Sequence, residues 1–173
     1  MHFVMDPKKI PLTTLNRIID KAKSKLKSNP VMIDMFKEHG IDIEEMKYFP
    51  TYFTDLDVSA KTDHGVVYLN YKLLEDGFSE RNYSYLIHEY RHVLQQTAGT
   101  KPTKSSDDGE YLDNKFEQEA FKDQIEYLSN EFGKDDAEEY VDDLLDHHDI
   151  TNKKEIKEKK KILMENVLAS IKL

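Results

Sequence analysis

The 173 residues predict an α+β domain that is mainly helical, with one short β region placed just before a polar helix. Three observations lead there. Apolar residues recur at helical spacing over most of the chain. A single stretch, residues 52–70, alternates instead and contains the turn signal Asp63-His64-Gly65. The length suits one domain and is too short for two ordinary ones. Within it we read a helical N-terminal part (1–50), a central core (52–130) and C-terminal helices (135–173).

The elements follow in order. Leu15, Ile18, Ile19, Ala22 and Leu26 line one face of a first helix, with Thr13 or Thr14 available as its cap and Asn29-Pro30 ending it. A shorter helix spans about Val31 to Glu38, with Gly40 placed to terminate it. From Tyr52, the residues Tyr52, Thr54, Leu56, Val58 and Ala60 alternate with polar ones, and Val66-Val67-Tyr68-Leu69 follows the glycine. We read a β-hairpin or two adjacent strands. A helix covers about Asn82 to Gln96. Thr97 to Glu110 reads as a mobile surface loop, being rich in Gly, Ser, Thr, Lys and Asp. A helix from about Tyr111 to Phe132 stops at Gly133, and another covers Asp135 to Asp146. A last one starts at an Asn152/Glu155 capping pair and continues to the C-terminus. Its lysines (Lys153, Lys154, Lys157, Lys159, Lys160, Lys161) read as a solvated face, interrupted by Glu155 and Glu158.

Composition removes several classes of function. Hydrophobic residues make up 38% and charged residues 34%, yet ten Tyr and eight Phe supply core material, which argues against wholesale disorder. A net charge of −9 argues against nucleic acid as a partner. No run approaches the roughly 18 apolar residues of a membrane span. The N-terminus lacks the pattern of a secretory signal, so we expect a cytoplasmic protein with no membrane partner. The absence of cysteine excludes disulfides, thiolate zinc sites and cysteine nucleophiles.

The chemistry concentrates in His88-Glu89-Tyr90-Arg91-His92, an H-E-x-x-H pentapeptide. On a helix, residues i and i+4 stand one above the other, so both imidazoles reach one metal ion. Glu89 then projects beside that ion, where it can take a proton from water. At roughly 100° per residue, Ser84, Tyr85, His88, His92, Gln95 and Gln96 share one side of the helix. Leu86, Ile87, Tyr90, Val93 and Leu94 share the other. We expect the apolar side to pack and the polar side to face a cleft.

An open zinc site needs a third protein ligand. Phe116, Ala120, Phe121, Ile125, Tyr127, Leu128 and Phe132 define the apolar face of the following helix, and Glu117 lies near its middle. Glu119 lies opposite, among Lys115, Lys122 and Glu126. A carboxylate in an apolar face is costly unless it is paired or binds a metal, which selects Glu117. Asp146-His147-His148-Asp149 carries the residue types of a rival site but reads more simply as a helix C-terminus, where histidine favours the dipole. His39 and His64 sit at a helix end and in a turn, and His2 in a frayed terminus. Tyr85, Tyr111 and Tyr127 are candidates to steady an oxyanion, and spacing does not choose among them.

An HExxH followed by a glutamate on a second helix resembles the gluzincin metallopeptidases. The E-x-x-A form, Glu117-Gln118-Glu119-Ala120, is similar to that of their small members, although Phe121 stands where they usually carry Asp or Asn. The metzincin pattern fails, because Gln95 and Ala98 stand where its Gly and third His belong. The resemblance covers roughly residues 52–130. It implies a zincin-like fold, one Zn2+ per chain and hydrolysis of a protein or peptide substrate with Glu89 as general base. It also implies a substrate strand just before the active-site helix, for which Val66, Val67, Tyr68 and Leu69 are placed. The alternative expectation is a catalytically silent zinc-binding interaction module.

Overall fold

The computed structural model describes residues 6–97, 112 and 114–171. The chain is α+β and mainly helical, with one three-stranded sheet among the described residues. It divides into two compact units, Met1–Thr100 and Lys101–Leu173. No helix among the described residues is long and apolar enough to cross a membrane.

The first unit opens with α1 (Leu12–Leu26) and α2 (Pro30–Glu38). Pro11, not a threonine, precedes α1. Its carbonyl accepts from Thr14 and Leu15 N–H, so Thr13 and Thr14 already belong to the first turn. At α2, the Asn29 side chain accepts from Val31 N–H and Pro30 supplies a preset first helical residue. Three strands follow: β1 (Thr51–Thr54), β2 (Ala60–Asp63) and β3 (Val66–Asn70). Their spatial order is β1-β3-β2, with β1 parallel and β2 antiparallel to β3.

The alternating stretch 52–60 is therefore not one strand. Thr51–Thr54 forms β1 and Ala60 already begins β2, with residues 55–59 between them outside any strand. Tyr52 is 49% exposed, whereas Phe53 is buried, its ring edge-on to Phe78 at 5.4 Å. Residues 55–59 then cross the end of β3, and Asn70 holds them. Its amide nitrogen donates to the carbonyls of Leu56 and Val58, while its oxygen accepts from Lys72 N–H. The expected hairpin is β2–β3. It turns at His64 and Gly65, both with positive φ (49° and 78°), the pairing a two-residue type I′ turn requires.

The last helix of this unit, α3 (Tyr83–Thr97), packs on β2, β3 and α2. Phe36 stacks on Phe49 at 5.6 Å, and Phe49 meets Tyr90 of α3 edge-on at 5.4 Å, tying the helices to the start of the sheet.

The second unit contains α4 (Lys115–Phe132), α5 (Lys134–His147), α6 (Lys153–Leu163) and α7 (Glu165–Ile171). The first starts later than expected because Asn114 caps it, accepting from Phe116 and Glu117 N–H. Gly133, at φ 99°, ends α4 and begins α5, a backbone conformation open to glycine at little cost. Asn152 caps α6 as the sequence predicts, accepting from Lys154 and Glu155 N–H. The expected single C-terminal helix is interrupted at Met164 without proline or glycine, and Leu163, Met164 and Val167 are all buried around the break. In α4, Phe116 and Phe132 are exposed, so the apolar face is shorter than the sequence suggests.

Candidate metal centre

The polar side of α3 is not open. Ser84, His88, Glu89, Arg91, His92 and Gln95 are all buried, as are Leu86, Ile87, Tyr90 and Leu94 opposite. Burying that many polar groups on one helix is unfavourable unless each is held. Several of the holding contacts are short. Arg91, 3% exposed, donates from Nη1 to Glu38 Oε2 at 2.8 Å, fixing α3 to the end of α2. The Tyr90 hydroxyl and Thr51 Oγ1 are 2.8 Å apart, and burial raises the Tyr90 phenol well above its ordinary range.

The two motif histidines converge. His92 Nδ1 lies 2.7 Å from Gln95 Oε1. An amide oxygen only accepts, so Nδ1 carries the hydrogen and Nε2 presents its lone pair. His88 Nε2 is 3.2 Å from that atom, the rings meeting edge-on. Glu89 is anchored from the sheet: Thr62 Oγ1 stands 3.0 Å from Glu89 Oε1 and 3.1 Å from the Glu89 carbonyl oxygen. The other carboxylate oxygen, Oε2, is 4.0 Å from His88 Nε2.

Glu117 lies in the first turn of α4, where the positive helix end favours a carboxylate, and it is 1% exposed. Glu119 is only half-buried. His88 and His92 in the first unit and Glu117 in the second have the residue types of a group able to hold a metal ion. The donor set fits several divalent transition metals, zinc among them. Two imidazole nitrogens and one carboxylate are the ligands of an open catalytic zinc site. The two Nε2 atoms stand 3.2 Å apart, within hydrogen-bond distance of each other. The Gln95 contact fixes the orientation of the His92 ring.

Other candidates fare differently. His147 and His148 stack edge-on at 5.3 Å at the end of α5 and belong to no such group among the described residues. His64 is exposed and paired with Asp63, and His39 ends α2. Tyr127 is buried against Phe132, and Tyr85 is half-buried. His2, Tyr111 and residues 98–110 of the expected loop lie outside the described residues.

The expected substrate strand needs correction. Val66, Val67, Tyr68 and Leu69 form β3, the middle strand, whose two edges are occupied by β1 and β2. An added peptide strand has no free backbone groups to pair with there. The margin of the sheet beside Glu89 is β2. Sequence reasoning also missed Thr62 and the buried Arg91. Thr62 gave no signal because residues 60–63 read as the tail of a longer strand and a turn. Arg91 occupies an unspecified position of the motif. No family model matches the chain, and no curated protein or solved structure matches it.

Proposed function

We propose that the chain is a zinc-dependent peptidase in which His88, His92 and Glu117 hold one zinc ion and Glu89 is the general base. The observation that carries this reading is the convergence of the His88 and His92 Nε2 atoms, 3.2 Å apart, with a buried carboxylate beside them. The HExxH…ExxA pattern adds its resemblance to the gluzincins. When bound, the metal supplies Lewis acidity toward a carbonyl and toward water. Glu89 takes the proton of the attacking water through Oε2, the oxygen turned toward the imidazoles, and returns it to the leaving amine. Gln95 keeps His92 in the tautomer whose Nε2 ligates. A peptide in extended form pairs with the outer edge of β2, the strand that carries Thr62.

Elemental analysis of the purified full chain, followed by cleavage of fluorescein-labelled casein, tests the proposal. About one zinc per chain is expected, with casein cleaved by wild type and not by Glu89→Gln, which keeps its zinc. No stoichiometric zinc after adding it back removes the peptidase reading. Zinc without cleavage of casein or of a random peptide library favours the silent interaction module.

A further inference from the structure

Glu89 sits mid-helix, and its side chain has enough rotatable bonds to reach several rotamers. Something outside α3 selects one. Thr62 delivers its hydroxyl from β2, where it pairs with Val67 of β3 in the antiparallel ladder. The branched β-carbon keeps χ1 of a strand threonine stiff. The hairpin is also pinned to α3 two turns further along, where Gly65 N–H donates to Gln96 Oε1 at 2.8 Å. The hydroxyl thus arrives on a platform fixed at both ends. It has one hydrogen and two acceptors within reach, Oε1 at 3.0 Å and the Glu89 carbonyl at 3.1 Å, both on the same residue.

We infer that Thr62 is a positioning residue for Glu89: its hydroxyl anchors Oε1 and leaves Oε2 turned toward the imidazole pair. The inference rests on the proposed role of Glu89 as proton acceptor. Two properties of the residue, its shape and its hydroxyl, can be separated. Valine keeps the shape and loses the hydroxyl, serine keeps the hydroxyl, and alanine loses both.

Thr62→Val, Thr62→Ser and wild type are compared as zinc-loaded full chains, with Thr62→Ala replacing valine if the valine variant does not fold. Crystal structures read the aim directly. Serine is expected to keep Glu89 Oε2 about 4 Å from His88 Nε2, whereas the valine variant shows the carboxylate in another rotamer. Zinc affinity, measured by competition with a chromophoric chelator, stays within about threefold, because Thr62 is not a ligand. On casein-derived peptide, kcat falls about 10- to 100-fold in the valine variant with KM nearly unchanged, and serine restores it. An unmoved carboxylate in the valine variant overturns the inference, as does a serine variant as impaired as valine. If wild type cleaves nothing, the peptidase reading fails separately, and the Glu89 rotamers still decide whether Thr62 sets the aim.

Discussion

Helices α3 and α6 are both dense in polar residues and treat them in opposite ways. In α6 the lysines and glutamates stand in solvent, and only Lys159 and Leu163 are buried. In α3 the two histidines, Glu89, Arg91 and Gln95 are all buried. A solvated charge asks nothing of the fold, whereas a buried one must be given partners. Arg91 has Glu38, His92 has Gln95 and Glu89 has Thr62, each partner except Gln95 coming from a different element. Polar residues that a fold encloses at this cost mark where chemistry or strict geometry is needed. Polar residues left outside mark solubility.

The largest contrast is expected in catalysis. Glu89→Gln should lower kcat about 1,000-fold on labelled casein, while elemental analysis finds its zinc retained. Next comes stability. Arg91→Ala removes a charge-assisted hydrogen bond and a buried stem, at about 2–4 kcal/mol, while Lys154→Ala on α6 changes stability by less than about 0.5 kcal/mol. Urea unfolding followed by circular dichroism compares the two, and equal effects would erase the distinction between the helices. A smaller change is expected in metal affinity: Gln95→Leu weakens zinc binding about 10- to 100-fold in a chelator competition, leaving stoichiometry intact at saturating metal.

The smallest effect belongs to the solvated helix. Lys160 donates to Glu138 and Asp142 of α5, and its hydrogen bond holds the Glu138 carboxyl below its ordinary value of 4.5. A carboxyl lowered in the folded state contributes stability that is present above that ordinary value. The contribution is lost as pH falls from there through the folded value. Lys160→Met should therefore flatten the acid limb of stability against pH, by less than about 1 kcal/mol. A drop comparable to that of Arg91→Ala would mean that α6 is less solvent-governed than its exposure indicates.

Local signals in the sequence located most of the helices. Asn152 caps, Gly133 punctuates, and the i, i+4 histidines announce themselves by spacing alone, whereas the sequence reading misses the Asn114 cap and starts α4 too early. Glu117 was legible because a carboxylate among apolar neighbours is anomalous on a helix face. What stayed hidden depends on pairings distant in sequence. Nothing near Phe53 says that it, rather than Tyr52, turns inward, since Phe78 decides that from elsewhere. Strand order was hidden for the same reason, and with it the role of Thr62. The interruption at Met164 has no breaker residue to reveal it.

The order β1-β3-β2 also sets a local pairing against a non-local one. β2 and β3 are neighbours in the chain and close through a two-residue turn, an event that takes ~1–10 μs in isolated hairpins. β1 meets β3 in parallel, so residues 55–59 pass over the end of β3 to reach β2, a less local connection than the hairpin turn. Asn70 fastens that segment through the carbonyls of Leu56 and Val58, acting as a latch. Thr62 belongs to the hairpin. The strand that carries Thr62 therefore lies in the sequence-local pairing of the sheet, and the non-local pairing, β1 with β3, lies on the other side of β3.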